Sequence, residues 1–142
     1  MKKLYTFIVA SLLSMSTFAQ APELMSYQAV VRDAADNLVA SSPVGMQISI
    51  LQGSPSGTAS YVETHTPTSN QNGLVSIEIG NGTLVSGDFA PIDWANGPYY
   101  VKTETDPTGG TSYTITGTSQ LLSVPYALYA KNTAAWQTNN DT

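Results

Sequence analysis

The chain has 142 residues, of which 42% are hydrophobic and 11% are charged, with a formal net charge of −5 and no cysteine. The lack of cysteine excludes disulfide staples, thiolate nucleophiles and zinc–thiolate sites, so stability must come from a packed core. The negative charge repels nucleic acid and disfavours a nucleic-acid-binding function.

The first nineteen residues predict a secretory signal peptide. Lys2 and Lys3 precede an apolar run from Leu4 to Leu13, and small residues follow as far as Ala19. The run is shorter than the roughly 18 to 20 residues that a spanning helix needs. We therefore expect residues 1–19 to be a signal peptide, 20–131 to form one β-sandwich domain, and 132–142 to be a linker or the start of a downstream shaft. The expected location is extracellular or the outer-membrane surface, with the periplasm as the alternative.

Short alternating segments, separated by Gly, Pro, Asn and Asp clusters, predict an all-β domain. The clearest strand is 44–52, where Met46, Ile48 and Ile50 share one face and Gln47 and Ser49 take a solvent face. The other predicted strands are 27–31, 61–63, 75–79, 99–104, 113–115 and 121–124. Strands of this number and spacing favour an immunoglobulin-like or transthyretin-like antiparallel β-sandwich of about seven strands. A short helical turn is predicted over 126–131.

The segments between the strands carry turn residues. Turns are predicted at 33–37, 54–57, 72–73 and 106–110, because Asp and Asn cap turns, Pro fixes φ and Gly accepts a positive φ. The stretch 80–98 is predicted as a long loop. It contains Phe89, Ile92 and Trp94, so we expect it to fold back over one end of the sandwich.

An enzymatic site would have to use His65, the only histidine in the chain. No nucleophile elbow accompanies it, and a surface or hydrogen-bonded histidine is the simpler interpretation. Glu63, Glu78 and Glu104 could supply a carboxylate pair for sugar hydrolysis, but their strand positions predict exposure to solvent. We therefore predict no catalytic residues.

Two binding sites are candidates. Asp33, Asp36 and Asn37 supply oxygen ligands within one turn, and Asp88 and Asp93 flank another loop, so Ca²⁺ is the one cofactor considered; turn capping is the favoured alternative. Aromatic faces can stack on sugar rings. The candidates for such a ligand site are Tyr100, Trp94 and Asn96.

Several segments of the sequence resemble a domain common at the start of secreted Bacteroidetes proteins. The segments are 26–33 (SYQAVVRD), 72–74 (NGL), 77–80 (IEIG), 97–99 (GPY) and 122–130 (LSVPYALYA). In that family the domain commonly precedes collagen-like repeats, coiled coils or tail-fibre-like shafts, some of which end in an endosialidase-type chaperone domain. The resemblance covers about residues 25–131.

The resemblance implies a non-enzymatic extracellular structural or assembly module, the N-terminal head or anchor of a cell-surface fibre or adhesin. Its expected partners are other subunits or downstream domains of the fibre, with residues 121–130 as the contact segment and strand addition to a sheet edge as the mode. The alternative is a module that binds glycans or surface proteins. Neither nucleic acid nor a transmembrane segment of the mature chain is expected.

Overall fold

Seven β-strands form where the described part of the chain lies extended, and all of their pairings are antiparallel. The structure, a computed structural model, describes residues 24–122. The strands are β1 (Met25–Val30), β2 (Gly45–Gln52), β3 (Thr58–His65), β4 (Leu74–Ile79), β5 (Thr83–Gly87), β6 (Tyr99–Asp106) and β7 (Ile115–Gln120), with a short 3₁₀ helix, η1 (Trp94–Asn96), before β6.

The strands form two sheets that pack face to face. The larger sheet has five strands in the order β5-β3-β2-β6-β7, and the smaller one pairs β1 with β4. The predicted all-β antiparallel sandwich of about seven strands is confirmed. The signal peptide, the helical turn at 126–131 and the segment 132–142 lie outside the described residues. Within residues 24–122, no helix is long and apolar enough to cross a membrane.

The core lies between the two sheets. From the larger sheet, β2 contributes Met46, Ile48 and Ile50, each at most 1% exposed. From the smaller sheet, Val75 and Ile79 of β4 are at most 2% exposed. The alternation along β4 therefore predicted its inward face correctly, because this strand has one face on the core and one in solvent.

The central strand β2 is more buried than its alternation predicted. Ser49 and Leu51 point away from the inter-sheet core, yet they are only 5% and 6% exposed. Their neighbours explain this, because β2 is paired on both sides and Leu51 lies opposite Tyr100 of β6. Side chains of adjacent strands cover a central strand even on a face with no second sheet. The prediction of a solvent face for Ser49 is wrong.

Two other predicted boundaries are also wrong. The loop predicted over 80–98 contains β5 and η1, and the last strand runs over 115–120 rather than 121–124. Residues 123 and 124 of the predicted strand lie outside the described residues. Strand β5 was not predicted at all, and of β7 only Ile115 falls within the predicted strand 113–115. Both are edges of the larger sheet, and all of their residues are exposed. An edge strand with no buried face has no apolar alternation to reveal it.

The predicted turns form where their chemistry indicated. Gly73 has φ +72°, and the Asn70 side chain accepts hydrogen bonds from the backbone N–H groups of Asn72 and Leu74. The Asp106 carboxylate accepts hydrogen bonds from the backbone N–H groups of Thr108 and Ser112, across the turn that joins β6 to β7. These side chains fix the reversals of the backbone without help from the core.

Candidate functional site

A buried carboxylate, that of Glu63, lies on the inner face of β3. Its side chain is 0% exposed, so the prediction that it faces solvent is wrong. The reason is the strand period: Tyr61, Glu63 and His65 are two residues apart and share one face. Glu63 pairs across the sheet with Ile48, whose side chain is in the core.

Four hydrogen bonds surround the Glu63 carboxylate. Its Oε2 accepts from the Tyr61 hydroxyl at 2.7 Å and from the backbone N–H of Gly82 at 2.7 Å. Its Oε1 accepts from the backbone N–H of Gly80 at 3.0 Å and lies 2.9 Å from His65 Nε2. Within residues 24–122, no buried side-chain nitrogen or oxygen lacks a hydrogen-bond partner. The carboxylate thereby attaches the turn between β4 and β5 to β3.

The electrostatics of this cluster favour an ionised Glu63 and a protonated Tyr61. Burial by itself raises the pKa of Glu63, but hydrogen bonds from His65, Tyr61 and the two backbone N–H groups outweigh it and hold the pKa below 4.5. Burial, followed by the hydrogen bond to Glu63, raises the pKa of the Tyr61 hydroxyl. Both groups stay in one protonation state near neutral pH, which suits a structural role better than proton transfer.

The turn between β4 and β5 approaches this carboxylate very closely. A Cβ atom on Gly82 would lie 2.6 Å from His65 Nε2 and 2.7 Å from Glu63 Oε2. Only glycine permits that approach without moving the neighbours. The Gly80-Asn81-Gly82 sequence is therefore the part of the turn that lets two backbone N–H groups reach a carboxylate inside the sandwich.

His65 separates this cluster from solvent and borders two open clefts. The larger cleft, of about 460 Å³, is called the His65 cleft below. It is lined by Ser26, Tyr27, Gln28, His65, Ser76, Ile77, Glu78 and Asn81. The smaller cleft, of about 270 Å³, shares His65 and Asn81. The His65 side chain is 12% exposed, and its hydrogen bond to Glu63 agrees with the hydrogen-bonded histidine predicted from the sequence.

The three candidate carboxylates do not form one site. Glu63 faces the core, whereas Glu104 lies on the opposite face of the larger sheet, where it accepts hydrogen bonds from Lys102 and Gln47. The hydrogen bond from Lys102 holds the pKa of Glu104 below its usual value. Glu78 is on the exposed face of β4 and lines the His65 cleft. Glu63 and Glu104 therefore cannot act on opposite sides of one sugar bond.

The loop proposed for calcium is a capped turn. Asp33 Oδ1 accepts hydrogen bonds from the backbone N–H groups of Ala35 and Asn37, at 2.8 and 2.9 Å. These hydrogen bonds, led by the one from Asn37, lower the pKa of Asp33. Asp36 has φ +66° and lies 3.6 Å from Arg32. Within the described ranges, no group of three or more His, Cys, Asp or Glu residues is arranged to hold a metal ion. Asp33 thus has the capping role that was favoured over calcium binding.

The candidate ligand residues lie in two elements: Trp94 and Asn96 belong to η1, and Tyr100 belongs to β6. Trp94 is 44% exposed and packs edge to face on Tyr99, with 5.1 Å between ring centroids. Tyr99 points into the sandwich, so Tyr100, the next residue of β6, points to the opposite face. The backbone carbonyl of Asn96 accepts a hydrogen bond from Gln52. No single aromatic platform brings these three residues together.

The Trp94 side chain is part of a row of aromatic rings at one end of the sandwich. Phe89 lies 5.2 Å from Tyr61 and 5.7 Å from Trp94, both in edge-to-face geometry. The expectation that the stretch before Pro98 folds back on the core is correct for Phe89 and Ile92, which pack against it. Trp94 covers the outside of the row and remains partly exposed.

The cleft beside His65 was not predicted from the sequence. Its lining combines residues of β1, β4 and the turn after β4 with the last residue of β3, and these are far apart along the chain. One local signal was present. The spacing of Tyr61, Glu63 and His65 places all three on one face of a strand, and Tyr61 indicates that this face is the buried one.

Comparison with known proteins gives one family match. The domain of unknown function DUF8740 matches residues 26–120, which covers every strand except the first residue of β1. No curated protein and no solved structure matches the chain.

Proposed function

The chain belongs to the DUF8740 family of domains of unknown function, and we propose that it is an exported, non-enzymatic structural and assembly module. In this proposal it is the head or anchor of a fibre or adhesin on a bacterial cell surface. The predicted signal peptide supports export, and the resemblance to domains that begin secreted Bacteroidetes proteins supports the cell-surface position. Its partners are other subunits or downstream domains of the fibre.

The observation that carries the assembly role is the state of the two edges of the larger sheet. All residues of β5 and β7 are exposed, and neither strand contains a charged residue or a proline. Soluble proteins usually protect such edges with lysine, proline or a covering segment, because an open edge pairs with other chains. Leu84 and Val85 of β5 are each 56% exposed. We assign β5 as the edge to which a second copy adds a strand.

The absence of catalysis in this proposal is supported by the Glu63 cluster. A catalytic carboxylate needs access to substrate, whereas Glu63 is fully buried and its four contacts join strands and a turn. His65 is oriented by Glu63, but among the described residues its ring has no hydrogen bond to a serine or threonine nucleophile. In this interpretation the cluster is a structural staple, meaning that the hydrogen bonds of Glu63 hold β3 to the turn between β4 and β5.

The alternative function is a glycan- or protein-binding module, and the His65 cleft is the observation that favours it. Its lining offers hydroxyl, amide and carboxylate groups from Ser26, Gln28, Ser76, Glu78 and Asn81, which are the groups that recognise sugar hydroxyls. Tyr27 adds an aromatic side chain. The His65 cleft, rather than Tyr100, Trp94 and Asn96, is the surface on which to test glycan binding first.

The first experiment measures native mass and location. Antibody against residues 25–120 is used on fractionated source cells and compared with the 15.0 kDa calculated mass of the chain. The proposal expects a much larger assembly in the surface fraction. A monomer in the periplasm or the medium would contradict the fibre role, and glycan screening with Gln28→Ala and Asn81→Ala would then test the alternative.

Assignment of the edge is tested with the purified full chain by sedimentation. Val85→Lys places a charge on the β5 edge and should shift the protein to monomer, since pairing would bury that charge. Ser119→Lys is the matched control on β7 and should leave the mass unchanged. Equal masses for Val85→Lys and the parent would remove β5 from the proposal.

A further inference from the structure

Asparagine precedes glycine at three places in the chain, Asn72-Gly73, Asn81-Gly82 and Asn96-Gly97. In such a pair the backbone nitrogen of the glycine can attack the side-chain amide carbon of the asparagine, because glycine has no Cβ to obstruct the approach. All three asparagines are exposed, so access to their side chains does not distinguish them. The surroundings of the glycine nitrogens do.

The three glycine nitrogens differ in their hydrogen bonds. Gly73 is buried, and its N–H donates to the backbone carbonyl of Asn70 at 3.0 Å. The N–H of Gly82 donates to the Glu63 carboxylate at 2.7 Å, and that negative charge opposes loss of a proton from the nitrogen. Gly97 is exposed, and its N–H donates no hydrogen bond within residues 24–122. The nitrogen of Gly97 can therefore react without first breaking a hydrogen bond.

The carbonyl oxygen of the same peptide group is polarised. The side-chain amide of Gln52 donates a hydrogen bond to the backbone carbonyl of Asn96 at 2.8 Å. When the Gly97 N–H loses its proton, the negative charge is shared between the nitrogen and this oxygen. A hydrogen-bond donor on the oxygen stabilises that charge, as donors do where negative charge develops in a reaction. The contact with Gln52 therefore favours the reactive form of the Gly97 nitrogen.

Ring closure also requires rotation of Asn96 about its Cα–C bond, and the local structure permits it. Asn96 is the last residue of η1, a single 3₁₀ turn with no buried residue. Two hydrogen bonds to Asp93 fix this turn, from the N–H of Ala95 at 3.1 Å and from that of Asn96 at 2.9 Å. Such a short exposed turn opens locally while the sheets stay folded.

We propose that Asn96 is a site of spontaneous deamidation, a reaction that contributes to the thermal lability of asparagine. The Gly97 nitrogen gives its proton to solvent and bonds to Asn96 Cγ. The Cγ–Nδ2 bond breaks, and the amide nitrogen takes a proton from solvent and leaves as ammonia. Water then opens the cyclic imide, at Cγ to give aspartate or at the main-chain carbonyl to give isoaspartate. Water is the only co-reactant.

The product changes the charge of one cleft. Asn96 lines an open cleft of about 340 Å³ together with Gln52, Asp88 and Asp93. Deamidation adds a third carboxylate there, and the isoaspartate product also lengthens the main chain between η1 and β6. The reaction depends neither on export nor on assembly through β5. Failure of the assembly experiments therefore leaves this proposal standing, and its own failure leaves the β5 proposal standing.

The test follows the three sites within one sample of the full chain, so that each site is a control for the others. The purified protein is kept at slightly alkaline pH, and its peptides are quantified by mass spectrometry, with isoaspartate detected by enzymatic methylation. Asn96 should convert at least about tenfold faster than Asn72 and Asn81, because reaction at those two sites must first break a hydrogen bond to the glycine nitrogen. In concentrated urea the three rates should converge, because unfolding removes these hydrogen bonds.

Equal rates at the three sites of the folded protein would overturn the proposal. So would faster conversion at Asn72 or Asn81, or a difference that persists in urea, since the local sequence and not the fold would then be its cause.

Gln52→Ala tests the polarised carbonyl. Loss of one neutral hydrogen bond should slow conversion of Asn96 by about fivefold. Gln120→Ala is the matched control, since it removes an exposed glutamine from β7, and it should leave the rate unchanged. If Gln52 only restrained the turn, its removal would accelerate the reaction. Faster or unchanged conversion in Gln52→Ala, with an unchanged slope of urea unfolding, would overturn the part assigned to Gln52.

Discussion

Replacing Glu63 with glutamine keeps the shape of the buried side chain and removes its charge. The carboxylate has two acceptor oxygens, and each receives one backbone N–H, that of Gly80 or Gly82. A glutamine amide has only one oxygen. Whichever way it is turned, its NH₂ group faces one of the two backbone donors. Glu63→Gln therefore leaves a buried backbone N–H without an acceptor.

The expected loss follows from these contacts. An orphaned buried donor costs about 1–3 kcal/mol, and hydrogen bonds to a charged acceptor contribute about 1.5–3 kcal/mol each against about 1 kcal/mol for neutral ones. The Tyr61 hydroxyl can rotate and accept from the amide, and the His65 ring can change tautomer, so these two contacts are weakened rather than lost. Together these effects predict a loss of about 2–4 kcal/mol in the free energy of unfolding. That is a large part of the stability of a single small domain.

Equilibrium unfolding in urea measures this loss, with an unchanged slope indicating that the folded state is intact. Glu104→Gln is the matched control, because Glu104 is half-buried on the other face of the sheet and pairs with Lys102 near solvent. Such pairs contribute about 0–1 kcal/mol. If Glu63→Gln destabilises no more than Glu104→Gln, the staple role of Glu63 is refuted.

The contacts of the described residues lead to four more predictions. Because the pKa of Glu63 is lowered in the folded state, the ionised carboxylate stabilises the fold above its ordinary pKa of 4.5, and this stabilisation is lost as the pH falls through the lowered pKa. Urea titrations below about pH 4.5 should therefore show a steeper loss of stability for the parent than for Glu63→Gln. Gly82→Ala should destabilise by about 1–3 kcal/mol in the same assay, since its methyl group displaces the turn from the carboxylate. Millimolar calcium should leave the thermal melting temperature unchanged, because the Asp33 carboxylate already caps its turn; a rise of several degrees would restore the calcium site. In glycan screening, Tyr100→Ala should bind as the parent does, and weakened binding would return the ligand site to the outer face of β6.

The buried faces of the fold could be read from the sequence because burial imposes a period. Val75, Ile77 and Ile79 alternate with exposed residues, and their strand was predicted with its correct orientation. The turns were predictable for an equally local reason, since Asn70 and Asp106 hydrogen-bond to backbone groups only a few residues away. Strands β5 and β7 gave no such signal. Each is formed by pairing with a neighbour and buries neither face.

The candidate site was less predictable than the fold. The types of residue were visible, since Glu63 and His65 were both considered, but their arrangement was not. The strand position of Glu63 was interpreted as facing solvent, although Tyr61, two residues earlier, lies on the same face of the strand. A buried charge is allowed only where enough donors converge on it, and two of its donors come from a turn some twenty residues later in the chain.

The sequence by itself determined the all-β class, the inward face of β4 and the places where the chain reverses, because each depends on residues that are neighbours along the chain. Tertiary structure decided the unequal division into sheets of two and five strands, the burial of Glu63 and the opening of the His65 cleft. These features arise where strands distant in sequence meet. Hydrogen-bond partners and uncovered surface there are set by the packing of the sheets, which no local pattern encodes.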